Sequence, residues 1–225
     1  MNYFPASIID NFFDNPEAVV ELAKSIDYHS PKETIYPGVI SSDVAHTNYE
    51  LAQWIISKVM NLFYDLDKVY ITWDSETTFQ KIKPYDNEDQ FHILNRGVPH
   101  IDVQETVLAG VIYLNENFCK DAGTSFYQKK LDNSFYKTSK ETIDANKKYH
   151  GGTMVDNYEQ IVQDHFNKFE ETVRIQPKFN RLVMYSPDTW HSQTTYGKDE
   201  ERLTLRFFVN MFCQEQAYPL RRYYE

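Results

Sequence analysis

Pro99-His100-Ile101-Asp102 is the stretch from which the rest of the chain can be placed. In a β-strand, residues two positions apart point to the same face, so the side chains of His100 and Asp102 would lie next to each other, with Cβ atoms roughly 6–7 Å apart. At that separation an imidazole nitrogen and a carboxylate oxygen can reach one metal ion. The alternative is a surface His and Asp on a turn, because short pairs of this kind also arise by chance.

Composition indicates one globular domain. The chain has 225 residues, of which 41% are hydrophobic and 16% aromatic, so it can bury a sizeable core. The net charge is −10 and no cluster of Lys and Arg occurs, which disfavours a nucleic-acid partner. Residues 1–5 lack the features of a signal peptide, and no apolar run reaches the ~20 residues of a membrane span. We therefore expect a cytoplasmic protein without a membrane partner, in which Cys119 and Cys213 are free thiols.

The order of helical and strand patterns predicts a jelly roll with an N-terminal helical flank. A helix should start within Asp14-Asn15-Pro16-Glu17, with an Asx cap and Pro in its first turn, and a capping box at 47–50 should open an amphipathic helix that continues to Leu66. Beyond this point the chain is rich in short β-branched and aromatic stretches. The predicted strands are 69–73, 77–82, 91–94, 106–114, 123–127, 182–185, 190–195 and 202–211. Helices followed by about eight strands fit two packed sheets, which is a mainly β, cupin-like jelly roll.

We interpret the whole chain as a single domain with one insertion. In this interpretation 1–67 is the helical flank, 68–127 and 181–212 supply the jelly-roll strands, and 128–180 is the insertion. The insertion begins with a polar segment and continues with a helix. The apolar face of that helix is predicted to comprise Ile161, Val162, Phe166, Phe169 and Val173.

A second His and an arginine lie at the other end of the chain. His191 begins the second-last predicted strand, and Tyr196-Gly197-Lys198-Asp199 has the composition of a hairpin turn into the last strand. Counting across that turn would place His191 opposite Leu203 or Thr204. Arg202 would then be a diagonal neighbour of His191, within reach of a long side chain.

The last strand should carry arginines on an inward face. The residues of that face are Arg202, Thr204 and Arg206, and those of the other face are Leu203, Leu205, Phe207 and Val209. A buried arginine needs an anionic partner, because an unpaired buried charge is costly. A bound dicarboxylate would supply that partner, since Arg can bind a carboxylate in bidentate fashion. The alternative is an ion pair between Arg202 and a nearby surface acid, Glu200 or Glu201.

Two His and one carboxylate on one side of a metal, with open positions opposite, are typical of non-haem Fe(II) oxygenases. His100-x-Asp102, His191 and Arg202-x-Thr204 together resemble the Fe(II)/2-oxoglutarate dioxygenases, especially their prolyl-4-hydroxylase-like branch. Residues 110–115 and 123–126 are similar to strands of that branch. Further stretches that resemble an uncharacterised type from phages and marine bacteria are 8–13, 36–39 and 181–186.

This resemblance implies a double-stranded β-helix with Fe(II) and O2, and 2-oxoglutarate as cosubstrate. The implied Fe(II) ligands are His100, Asp102 and His191, and the residues implied for 2-oxoglutarate are Arg202, Thr204, Tyr113 and Arg206. The Arg-x-Thr spacing favours Arg202 over Arg206 as the main anchor. Oxidative decarboxylation would release succinate and CO2. Related halogenases have Ala or Gly in place of the carboxylate, so the presence of Asp102 favours hydroxylation.

Two other functions stay open, namely a non-catalytic jelly-roll module that binds a metal or ligand, and a cupin-type metal lyase or isomerase. An open-sided triad argues against the first, because structural metal sites are usually closed. Cupin sites more often carry three or four His ligands. The substrate could be a peptidyl side chain, a free amino acid, a small metabolite or a nucleotide, and we expect residues 128–155 to border it. His92 is expected to be half-buried in a strand, with a supporting position beside the metal site as the alternative. The histidines expected at the surface or in packing are His29, His46, His150 and His165.

Overall fold

The structure is a computed structural model in which residues 6–30, 37–68, 70–102, 106–117, 119–130 and 140–214 are described. Residues 211–214 are described by their backbone alone. Tyr36, Val69 and the side chain of Cys213 therefore lie outside the described residues. Cys119 is a free thiol, as expected. No helix within these ranges has the length and apolar character that a membrane crossing needs.

The N-terminal part forms helices and short strands. Helices α1 (Pro16–Ser25) and α3 (Tyr49–Met60) begin after Asn15 and Asn48, whose side chains accept hydrogen bonds from backbone N–H groups of the first turn. The other elements of this part are β1 (Ser7–Ile9), β2 (Tyr28–His29), β3 (Val39–Ser41) and α2 (Val44–Thr47). Helix α3 ends earlier than the expected Leu66, although Leu66 still packs against the same apolar core.

The remainder of the chain is mainly strand. The strands are β4 (Ile71–Ile82), β5 (Thr106–Tyr113), β6 (Thr124–Lys129), β7 (Phe169–Ile175), β8 (Arg181–Tyr185), β9 (His191–Gln193) and β10 (Arg202–Gln214). Between β6 and β7 lie the helices α4 (Lys140–His150) and α5 (Tyr158–Phe166). The segment that was predicted as an insertion thus contains two helices and one strand.

A seven-stranded antiparallel sheet, in the order β1-β8-β5-β10-β4-β3-β2, lies against the N-terminal helices. The two faces of β10 differ as the period of two predicts. Leu205, Phe207 and Val209 are fully buried in the apolar core on the helical side. Arg202 and Arg206 both line a cleft on the other side of the strand. One strand therefore serves both the core and a polar site.

A three-stranded sheet, in the order β7-β6-β9, packs on the large sheet. Phe126 and Ile175 of the small sheet join Tyr113 and Val183 of the large sheet in one buried cluster. An isolated antiparallel bridge attaches His100 to the β9 edge of the small sheet. This double-sheet arrangement with flanking helices confirms the predicted mainly β jelly roll.

Three predictions of individual elements are wrong. The two strands expected at 69–73 and 77–82 are one continuous strand, β4, which pairs with β10 along its length. The segment 91–94 is not a strand but enters a 3-10 helix at Ile93–Asn95. The helix expected to extend to Val173 ends at Phe166, the last residue of α5. Val173 lies in β7, where the residues pair with β6 although their apolar spacing also fits a helix.

Candidate metal centre

The backbone brings His100, Asp102 and His191 together. The N–H of His100 donates to the carbonyl of His191, and the N–H of His191 donates to the carbonyl of His100, both at 3.0 Å. The N–H of Asp102 donates to the carbonyl of Pro187 at 2.7 Å. These three bonds fix the 98–102 segment on the strand that carries the second His.

The side chains of the three residues converge on one point. The Nε2 of His100 lies 3.8 Å from Oδ1 of Asp102, and the Nε2 of His191 lies 3.7 Å from Oδ2. The candidate ligand atoms all lie within 4.8 Å of one another. The structure thus places the three predicted metal ligands in one site.

Hydrogen bonds set the tautomers of both imidazoles. The Nδ1 of His100 lies 2.8 Å from the carbonyl oxygen of Val98, and the Nδ1 of His191 lies 2.9 Å from that of Thr189. A carbonyl can only accept, so Nδ1 carries a proton in both rings and Nε2 is the atom that each ring can offer to a metal. Burial lowers the pKa of His191 to about 4, so its imidazole is neutral at pH 7.

The Asp102 carboxylate lacks the partners that a buried anion requires. Its side chain is only 3% exposed, and no described residue forms a hydrogen bond with its Oδ2. A buried carboxylate oxygen without a partner is costly. A cation bound between the two Nε2 atoms and this oxygen would remove that cost. Two nitrogen ligands and one oxygen ligand on one side of an open cleft fit Fe(II) of the non-haem oxygenase type.

Arg202 lies in the same cleft as the triad and is 1% exposed. Its Nη1 donates to the hydroxyl of Thr204 at 3.3 Å and its Nε to the carbonyl of Ala122 at 3.4 Å. Burial lowers the pKa of the guanidinium. Within the described part of the chain no carboxylate pairs with Arg202, and neither Glu200 nor Glu201 takes that role. The site therefore holds a buried positive charge beside neutral oxygens.

Tyr113 completes the surroundings of this guanidinium. Its ring centroid lies 5.5 Å from the guanidinium carbon of Arg202, and it is 1% exposed. Its hydroxyl shares a 2.6 Å hydrogen bond with Thr124 on β6. Tyr113 and Thr204 are cross-strand partners in the register of β5 and β10. The predicted set for an anionic ligand is thus brought together by the pairing of two strands.

The structure shows a different route to this proximity than the expected hairpin. β9 pairs with β6, whereas β10 pairs with β4 and β5, so residues 196–199 connect two sheets. His191 is therefore not opposite Leu203 or Thr204, and the register counted across the turn is wrong. The arginine approaches the triad across the space between the sheets.

Arg206 faces the same cleft but has more partners than Arg202. Its Nε donates to the hydroxyl of Thr78 at 2.8 Å. Its Nη2 lies 4.0 Å from a carboxylate oxygen of Glu76, whose side chain is 54% exposed. The charge of Arg206 is therefore partly compensated by β4.

His165 is a residue of the site region that sequence reasoning did not distinguish. It is 3% exposed on α5, and its Nε2–H donates to the carbonyl of Pro99 at 2.8 Å. This bond holds the residue that precedes His100. The available signal was its position on the apolar face of the helix, three residues after Val162, but a buried His and a surface His look alike in sequence.

Comparisons with known proteins agree with the fold. The model of a family of unknown function (DUF6445) matches residues 2–212, and no curated protein matches the chain. HygX from Streptomyces hygroscopicus, solved with nickel and 2-oxoglutarate bound, is 10% identical with a TM-score of 0.57, over 92% of this chain and 83% of HygX. The epimerase SnoN, solved in complex with Fe3+, alpha ketoglutarate and nogalamycin RO, is 11% identical with a TM-score of 0.53, over 92% of this chain and 79% of SnoN. A 2OG-Fe(II) oxygenase family oxidoreductase from Burkholderia pseudomallei is 8% identical with a TM-score of 0.50, over 92% of this chain and 84% of that one.

Proposed function

We propose that this chain, which belongs to the family of unknown function DUF6445, is an Fe(II)- and 2-oxoglutarate-dependent oxygenase that hydroxylates a peptidyl or small-molecule substrate. The observation that carries the proposal is one cleft that combines a two-His, one-carboxylate triad with a buried arginine. The fold is shared with proteins that were solved with a metal and 2-oxoglutarate. The prolyl-4-hydroxylase-like branch and the cytoplasmic location stay predictions of the sequence.

His100, Asp102 and His191 would hold Fe(II) through two Nε2 atoms and one carboxylate oxygen. Bound Fe(II) supplies, with O2 and 2-oxoglutarate, the oxidising chemistry for hydroxylation, with succinate and CO2 as the other products. The residues of the chain keep both imidazoles oriented by backbone carbonyls. They also leave the side of the triad that faces the cleft open.

Arg202 is the residue best suited to bind the far carboxylate of 2-oxoglutarate. Its described hydrogen bonds go to neutral oxygens, so a carboxylate would supply the missing negative charge. Thr204 and Tyr113 place hydroxyl groups beside it. Arg206 already donates to Thr78, and we assign it a supporting role.

Aromatic rings around the triad would limit the access of water. The ring of Tyr185 lies 4.2 Å from that of His191, and the ring of Phe126 lies 6.5 Å from it. Exclusion of water strengthens electrostatic contacts with a bound cosubstrate and limits side reactions. The Asp102 carboxylate occupies the position at which halogenases have Ala or Gly, which supports hydroxylation.

Formation of succinate from 2-oxoglutarate tests the proposal against its two alternatives. A non-catalytic module would bind metal without releasing succinate, and a cupin-type lyase or isomerase would turn over without 2-oxoglutarate. The purified chain is incubated in air with Fe(II), 2-oxoglutarate and a panel of amino acids, peptides and metabolites. Asp102→Ala is the negative control and His46→Ala, at an exposed position, is the matched positive control. Succinate formation no faster than in Asp102→Ala across the whole panel would reject the oxygenase.

A further inference from the structure

A second cavity adjoins the cleft that contains the triad. It has a volume of about 90 Å³, whereas roughly 10–15 Å³ measured in the same way is enough to hold one water molecule. The residues that line both spaces are His100 and Gln193. The second cavity therefore opens beside a candidate metal ligand, on a side that the arginines do not line.

Helix α4 forms one wall of this cavity. Ile143, Asn146 and His150 follow one another at spacings of three and four residues, so they share one face of the helix, and all three line the cavity. Val98 and Ile101, on either side of the candidate ligand His100, also line the cavity. The walls thus combine apolar side chains with a few polar groups.

Asn146 presents a hydrogen-bond donor to the cavity. It is 5% exposed, and its Oδ1 accepts a hydrogen bond from the hydroxyl of Tyr158 at 2.9 Å. This bond sets the orientation of the amide, so that the NH2 group is the free end. Among the described residues, the bond from Tyr158 is the side-chain hydrogen bond found for Asn146. A ligand oxygen would be the partner of the NH2 group.

Tyr196 contributes a second unpaired polar group. It is 5% exposed and lines the cavity, and no hydrogen bond joins its hydroxyl to a residue in the described ranges. Burial raises the pKa of this phenol, which therefore stays neutral. Its backbone N–H donates to the carbonyl of Asn95 at 2.9 Å, which anchors the residue beside the cavity.

No Asp, Glu, Lys or Arg occurs among the described residues that line the cavity. Burial lowers the pKa of His150 to about 4, so that imidazole is neutral. Apart from His100, the other described lining residues are apolar or uncharged polar, in contrast to the cleft that contains Arg202 and Arg206. A charged group would lose its hydration here without gaining a counter-ion, whereas an uncharged acceptor would lose little.

We propose that this cavity binds an uncharged group with a hydrogen-bond acceptor, such as a carboxamide on a short aliphatic stem, through Asn146 and Tyr196. If the proposed function is correct, this group is the part of the primary substrate that lies next to the reacting carbon. The binding itself does not depend on that function. It restricts the substrate class to neutral amide, carbonyl or hydroxyl compounds and peptidyl groups of that kind.

Binding of three small probes with the same branched four-carbon skeleton tests this inference by NMR on the full-length chain. Isobutyramide is neutral, isobutyrate is an anion and isobutylamine is a cation at pH 7. Isobutyramide should shift the side-chain resonances of Asn146 and Tyr196, with a Kd at least about tenfold lower than that of either charged probe at the same resonances. Isobutyrate bound at Arg202 would be recognised by shifts there. Equal or tighter binding of a charged probe at Asn146 and Tyr196, or no shift with isobutyramide, would overturn the inference.

Two variants separate recognition from a structural effect. Tyr196→Phe removes one hydroxyl and should weaken isobutyramide about threefold to tenfold. Asn146→Asp keeps an acceptor for Tyr158 but removes the NH2 donor, and should invert the preference toward isobutylamine. Tyr64→Phe, at a buried tyrosine of the N-terminal core, is the matched control and should change nothing. An equal loss in Tyr64→Phe, or an unchanged preference in Asn146→Asp, would contradict the assignment. Because no metal is added, failure of the oxygenase proposal and failure of this inference give distinct results.

Discussion

The two walls of the main cleft carry opposite charges, and the charged groups differ in the hydrogen bonds that they form. On the small-sheet wall, Asp102 is a buried carboxylate with an oxygen that lacks a hydrogen-bond partner among the described residues. On the large-sheet wall, Arg202 is a buried guanidinium bonded to neutral oxygens. The two charges do not pair with each other. Each wall therefore needs a ligand of opposite charge, a cation beside Asp102 and an anion beside Arg202. A metal ion together with a dicarboxylate that chelates it would meet both needs.

Loss of a metal ligand should have the largest effect. Asp102→Ala and His191→Ala each remove one of three ligand groups, so we expect Fe(II)-dependent 2-oxoglutarate turnover to be abolished while the fold stays intact. Iron bound per chain and succinate formation are the measurements, and circular dichroism checks the fold. His46→Ala should retain both. Full activity in either triad variant would remove these residues from the metal site.

Loss of Arg202 should weaken the binding of 2-oxoglutarate but leave metal binding unchanged. We expect Arg202→Ala to raise the KM for 2-oxoglutarate by roughly two orders of magnitude, because a charge-assisted hydrogen-bonded pair in a desolvated pocket is lost. Fe(II) affinity, measured by anaerobic titration, should change little. A large loss of Fe(II) binding would show that the two walls are not independent.

Arg206→Ala sharpens the comparison within one strand face. Because Arg206 has partners on β4, its removal should act mainly on stability, by about 1 kcal/mol in urea unfolding. The KM for 2-oxoglutarate should rise by less than in Arg202→Ala. The opposite order of the two KM effects would reverse the assignment of the main anchor.

The smallest expected effect concerns residues 128–155, of which α4 lies beside the metal-binding turn. We expect amide hydrogen exchange in this segment to slow when a turned-over substrate binds, because its polar groups gain partners. Exchange in α1, on the far side of the large sheet, is the internal control. Unchanged exchange at 128–155 with every turned-over substrate would exclude a role at the mouth of the site.

The sequence predicted which side chains of a strand face the core better than it predicted which strands pair with each other. The period of two in β10 correctly separated Arg202 and Arg206 from the apolar core positions. The same rule does not determine which sheet a strand joins, so the prediction of a hairpin at 196–199 is wrong and this segment links two sheets. Pairing partners depend on tertiary packing, which composition of a turn does not encode.

The metal ligands could be predicted from the sequence, but the residues that hold them in position through hydrogen bonds could not. His100 and Asp102 are two residues apart in sequence, and the resemblance supplied His191. His165 acts through a contact with a residue far along the chain, the 2.8 Å bond from its Nε2 to the carbonyl of Pro99. Phe169 and Val173 also fitted a helical spacing, yet Val173 is half exposed in a strand because β7 pairs with β6. Local patterns cannot rank such alternatives.

An anaerobic titration of the Fe(II)-loaded chain with 2-oxoglutarate tests the two-wall account most directly. Chelation of the metal by the keto acid produces a visible metal-to-ligand charge-transfer band, which reports occupancy without turnover. The account predicts a saturating band in the wild type, none in Asp102→Ala, and in Arg202→Ala a band that saturates only at roughly hundredfold higher 2-oxoglutarate. A wild-type chain that gives no band, or an Asp102→Ala chain that gives the same band, would contradict it.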